Sequence, residues 1–254
     1  MRQRDSAGNR AALEPASIIA RPIGRGHDDQ SDAMDRRSAT PMMRYDRPAM
    51  GLAFCLSGLA GFVDALGFLS LGGFFVSFMT GNTTRLGIEL AGRHAGGIAL
   101  AALIVVLFIL GVVSGSLAGH VGRRQRKAAV LAFVTLVLIV AAGLDTLGLG
   151  TAAAGMLALA MGAENAVFQR DGEVTIGLTY MTGTLVKMGQ RLAGALLGGP
   201  KLAFLRHLAL WLGLLSGAVI GAVAHSRIGL DAIWLAAGAA GFFAIIAFFM
   251  PDPS

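Results

Sequence analysis

The chain has 254 residues, 55% of them apolar and only 14% charged, with a mean hydropathy of +0.67. That balance excludes an ordinary water-soluble domain, in which about a quarter of residues are charged. The net charge is +6, but nine arginines lie in residues 1–50 beside seven acids, and no basic face with interleaved aromatics argues for nucleic acid. The lone cysteine, Cys55, excludes an intrachain disulfide framework or a Cys-based zinc site.

Residues 1–50 mix Arg, Asp, Ser, Pro and Gly without helical or strand periodicity. They are expected to form a disordered cytoplasmic tail, and they lack the pattern of a cleaved signal peptide. Met42, Met43 and Met50 precede the first apolar run, so the tail also reads as an over-long start. Residues 51–250 then form a membrane domain. Six stretches suit the ~20 residues needed to cross ~30 Å of hydrocarbon. They are Gly51–Leu71, Ile98–His120, Ala128–Leu149, Gly150–Phe168, Leu202–Ala224 and Asp231–Met250. Two more, Gly73–Gly92 and Val174–Gly194, look helical but are studded with Thr, Asn, Gln and charges. A charge at mid-span costs about 2.5–3.5 kcal/mol, so these two need protein or water around them rather than lipid.

The cluster Arg123, Arg124, Arg126 and Lys127 belongs in the cytoplasm by the positive-inside rule, and so does the Arg-rich tail. An even number of crossings must separate them, although three helical segments intervene. Gly73–Gly92, the most polar, is therefore read as re-entrant, and Val174–Gly194 likewise. The expected fold is all-α, with six transmembrane helices, two re-entrant or broken helices and both termini cytoplasmic. Arg227, placed outside, fits this poorly.

Shifting the chain by 102 places superposes Met79-Thr80-Gly81 on Met181-Thr182-Gly183 and Arg85 on Lys187. The same frame carries Gly111, Gly115 and Gly119 onto Gly213, Gly217 and Gly221. With a one-residue gap, Gly61, Asp64 and Ala65 fall on Gly162, Asn165 and Ala166. Two repeats, 51–149 and 150–250, each with three crossings, must have opposite orientations, which is the plan of many secondary transporters.

The pattern Gly61-x-x-Asp64-Ala65, Phe75, Met79-Thr80-Gly81-Asn82, then Gly162-x-x-Asn165-Ala166 and Thr179-x-Met181-Thr182-Gly183-Thr184, resembles the YoaK-like family of bacterial integral membrane proteins over most of residues 51–250. The resemblance implies a bacterial inner-membrane location and supplies no defined activity. The chain departs from that pattern at Glu164, where the resemblance implies Gln.

Asp64 lies two-thirds along the first span, where an acid marks either a functional group or a structural bond, with Arg85 as a partner. Thr80 and Asn82, and Thr182 and Thr184, are placed to cap half-helices, with Gly81 and Gly183 admitting a ligand to the backbone. The opposing reading is close helix packing. Arg85 and Glu89 can neutralise each other at i, i+4, whereas Lys187 and Arg191 must face water, headgroups or an acid such as Glu164 or Asp64. The candidate solute site is thus Asp64, Thr80, Gly81, Asn82, Arg85, Glu164, Asn165, Thr182, Gly183 and Lys187. The glycine stripes serve helix packing and offer an oligomerisation surface. No catalytic motif, metal set or cofactor fingerprint occurs, which argues against an enzyme. A small transporter or channel for a small, possibly anionic solute stands against a non-transporting scaffold or assembly protein. Single cysteines placed in a Cys55→Ala background should be labelled from outside in 144–151 and protected in 123–127. The reverse pattern would invert the topology.

Overall fold

A computed structural model of the chain describes residues 47–170, 173–174 and 176–250. The expected tail lies outside the described residues except for 47–50, which are already the first turn of a helix. The helices are α1 (Arg47–Ser70), α2 (Met79–Gly92), α3 (Ala95–Val121), α4 (Arg126–Thr146), α5 (Gly150–Glu164), α6 (Met181–Leu196), α7 (Leu205–Ile228) and α8 (Ile233–Phe249). Short 3-10 turns, Arg123–Gln125 and Gly229–Ala232, join α3 to α4 and α7 to α8.

Among the described residues, four helical segments are long and apolar enough to cross a membrane: Pro48–Ser70, Ala95–Val121, Arg123–Thr146 and Leu205–Phe249. The last, of 45 residues, comprises α7 and α8 with the turn between them. The fourth expected span, Gly150–Phe168, is shorter than its apolar run: α5 ends at Glu164 after 15 residues and 165–168 continue as turns. The two polar helices also start later than their composition suggests, at Met79 rather than Gly73 and at Met181 rather than Val174. Part of the difference is an unexpected hairpin, Gln169–Arg170 paired antiparallel with Glu173–Val174.

Among the described residues the outer surface is largely apolar, and the interior mixes Ala with Leu, Val and Ile. Leu103, Val106, Ile109, Val113 and Leu117 of α3, and Leu215, Val219 and Val223 of α7, are exposed, as befits surfaces solvated by acyl chains. Helix α5 is the innermost element, with Ala153, Ala154, Leu157, Ala158, Ala160, Met161, Ala163 and Glu164 all buried. It packs on α3 and α4, while α1 packs along α7 and α4 along α8.

Glycine contacts give the direction of these crossings. A Cβ on Gly213 would lie 2.7 Å from the Phe54 carbonyl oxygen, Gly217 abuts the Gly58 carbonyl and Gly221 the Phe62 carbonyl, so α1 and α7 run parallel. Gly111 abuts Leu159 and Gly115 abuts Ala163, so α3 and α5 run parallel too. In the repeat frame these are equivalent crossings, set off by one helical turn: Gly213 meets Phe54, whose counterpart is Gly155, whereas Gly111 meets Leu159.

A methyl group at Gly217 must displace the Gly58 backbone, because no flexible side chain is there to yield. Gly217→Ala should therefore cost about 1–3 kcal/mol by overpacking, read as a fall in melting temperature in detergent. Gly238→Ala, with open space around its Cβ, should be neutral or mildly stabilising.

Candidate functional site

Helix α1 ends at Ser70, and Gly72 (φ +62) and Gly73 (φ +88) reverse the chain in conformations that only glycine adopts readily. The return segment runs back along α1, with the Val76 side chain packed where Gly67 lacks one. Its backbone has left the helix and found no strand partner, so side chains take that role. The amides of Val76 and Ser77 both donate to Asp64 Oδ1, at 2.8 and 2.9 Å. The Phe75 amide donates to Asn82 Oδ1 at 3.0 Å, and the Phe75 carbonyl accepts from Asn82 Nδ2 at 2.6 Å. Asn82 is fully buried and clasps one residue from both sides, as a neighbouring strand would.

Helix α2 then starts at Met79. Arg85, two turns in, donates to the Gly72 and Gly73 carbonyls and lies 4.0 Å from the Phe74 ring centroid. A side chain of that reach can touch the turn only if α2 heads back toward the end of α1 from which the chain departed. Asp64, Asn82 and Arg85 thus hold the turn and the return segment between α1 and α2.

The second repeat uses related chemistry. Thr179 occupies the place of Ser77 in the 102-residue frame, and its hydroxyl donates to Asn165 Oδ1 at 3.0 Å. Asn165 Nδ2 in turn donates to the Met161 carbonyl at 2.9 Å. Thr184, counterpart of Asn82, is buried and donates to the Tyr180 carbonyl at 3.2 Å. Beside this group stands Glu164, 0% exposed, with no hydrogen-bond partner for either carboxyl oxygen. Arg126 donates to the Ala166 carbonyl and to Gln169 Oε1, which also accepts from Ser116 at 3.0 Å. A cation expected to mark topology therefore also ties the end of α5 to the start of α4.

Several expectations about the site need correction. Asp64 does not pair with Arg85; it binds backbone amides, and Arg85 binds backbone carbonyls. Glu89 pairs with His94 at 3.0 Å rather than with Arg85. Lys187 is exposed while Glu164 is fully buried, so they are not partners. Neither polar helix has a side-chain cap: Phe78 and Tyr180 occupy the N-cap positions, and Asn82 and Thr184 bond inside the return segment instead. Gly81 makes room for the Phe75 and Phe78 rings rather than for a ligand. Thr80, Thr182 and Gly183 are exposed. Among the described residues no hydrogen bond or ion pair links the Asp64 group to the Asn165 group. The residues that sequence reading missed, Ser77 and Thr179, coincide in the same frame that matched the motifs.

Residues 52–246 match the family described as "Protein of unknown function (DUF1275)". The chain belongs to that family. It is also 36% identical over 212 residues to a UPF0700 transmembrane protein of Rhizobium meliloti (strain 1021), covering 83% of this chain and 92% of the relative. No solved structure matches. The family is thus one of uncharacterised membrane proteins.

Because Asn165 holds the position of Asp64, Asp64→Asn should be tolerated, its amide oxygen still accepting from Val76 and Ser77. Asp64→Leu strands two buried amides and should cost about 1–3 kcal/mol for each. Arg85→Gln should lower thermal stability and Lys187→Gln should not, as the first side chain holds a turn and the second is exposed.

Proposed function

We propose that this DUF1275 protein is a small secondary transporter of the bacterial inner membrane, carrying a small, anionic solute between two inverted repeats. Its topology would be six crossings, with α2 and α6 re-entrant and both termini cytoplasmic. The parallel packing of α1 with α7 and α3 with α5 supports this by parity: α2 and α6 must either both cross or neither cross. Both are polar for membrane helices, α2 carrying Arg85 and Glu89 and α6 Lys187 and Arg191, and a charge at mid-span is costly, which favours neither crossing. Each repeat then crosses three times and the second is inverted. The bond from Arg126 to the end of α5 fits this: with the 123–127 cluster inside, the second re-entry would lie on the cytoplasmic side and the first on the opposite side.

The observation that carries the reading is the pair of helix breaks deep in an otherwise apolar domain, each lined by buried polar side chains. Irregular backbone at membrane depth persists only where protein or a water-filled path satisfies it, and transporters place their sites at such breaks. Lys187, exposed two turns into α6 and without an ion-pair partner among the described residues, would supply the charge preference.

The scaffold reading draws on one specific observation. Asp64, Asn82 and Asn165 are already bonded to the protein rather than left free toward an open path, as side chains that only tie the fold together would be. Uptake separates the two. Proteoliposomes should accumulate at least one of radiolabelled phosphate, sulfate, nitrate and acetate above protein-free vesicles, and Lys187→Gln should lose that uptake at unchanged melting temperature. Folded protein that moves none of them would favour the scaffold.

A further inference from the structure

Glu164 is the last residue of α5, adjoining the Asn165 that ties the second return segment. Both its carboxyl oxygens are buried and unpartnered. An ionised carboxylate so placed would carry an uncompensated desolvation penalty of several kcal/mol. A neutral acid avoids most of it. None of the elements packed on α5 places a hydrogen-bonding group on either carboxyl oxygen. Helix α1 brings Cys55 and another acid, Asp64, besides Arg47 at its start; α3 brings only His120, exposed in its last turn. Helix α4 brings Lys127 and Arg126 at its start and Asp145 at its end, and the Arg126 guanidinium bonds to Gln169 and Ala166. Nor do the described residues hold a group of three His, Cys, Asp or Glu that could retain a metal ion there. A proton needs only one carboxyl, whereas a metal cation needs several oxygen ligands.

From this geometry we infer that Glu164 is a proton-binding site, and that the ion coupled to solute movement is H+. The second half of the inference rests on the transporter reading; the first does not. In the conformation described, the carboxyl holds its proton out of contact with water. Opening the Thr179–Asn165 bond beside it would admit water. The acid O–H bond then breaks, its electron pair stays on the carboxylate and the proton passes to a water oxygen as hydronium. Re-protonation reverses the step and restores the buried neutral acid.

Infrared spectroscopy of the full chain in lipid at neutral pH tests the site directly. A carboxylic-acid C=O stretch should be present, absent in Glu164→Gln and retained in Asp64→Asn. Carbon-13 labelling of glutamate in the wild-type chain should shift the band and labelling of aspartate should not, which keeps the test valid if the variant fails to fold. No such band, or one that survives Glu164→Gln, overturns the site. For coupling, pyranine trapped in vesicles should report proton movement when phosphate, sulfate or nitrate is added to the wild type and none with Glu164→Gln. Solute uptake without proton movement overturns the coupling and leaves the transporter reading intact. A glutamate band without any uptake overturns the transporter reading and the coupling, and leaves the proton site standing.

Discussion

A backbone that leaves the helix inside a hydrocarbon layer must have every amide and carbonyl answered by the protein, because lipid offers no donors or acceptors. The interior of this molecule is arranged around that demand. Where α1 gives way to its return segment, Asp64 answers two amides and Asn82 answers an amide and a carbonyl of one residue, while Arg85 answers two carbonyls at the turn. None of these side chains is replaceable by an apolar one of similar size without exposing bare backbone. Polar residues that look costly by hydropathy are thus the condition for the break to exist.

Close helix approach is the complementary condition. Lipid-solvated helices gain little from burying large apolar side chains against one another, so their contacts rely on dispersion between well-fitted surfaces. Here the stripes of glycine bring α7 backbone against α1 backbone, and α3 against α5, with no side chain between. Many large apolar residues face outward instead, although Leu56, Ile104, Leu131 and Leu157 fill the interior. The same small-residue packing leaves α5 enclosed on all sides, which is how a carboxyl at its end comes to be wholly withdrawn from water.

The all-helical membrane character was readable because membranes impose long apolar runs, and the 102-residue frame pointed to the polar positions beside each break. The start of each polar helix at its Met-Thr-Gly was also signalled, with Thr80 and Thr182 at the second helical position. What the pattern could not convey was bonding direction. Asp64 and Arg85 attract one another on paper, yet each satisfies unlike groups of the backbone, and only the geometry of the return shows that amides face one and carbonyls the other. Gly81 read as an opening toward a ligand for a similar reason: sequence shows a missing side chain but not the Phe75 and Phe78 rings that fill the gap. The hairpin between α5 and α6 was announced only by the Asp171-Gly172 dipeptide between its strands, a signal easily passed over in an apolar membrane sequence.

The interlocked pairing has a consequence for biosynthesis. Helix α1 emerges first and its glycine-matched neighbour α7 near the end, while α3 waits for α5 from the other half. Through most of translation, then, α1 must rest against lipid or provisional neighbours with its close-packing face uncovered. The first repeat has no finished form of its own, and the chain becomes a folded object only once its second half is in the bilayer.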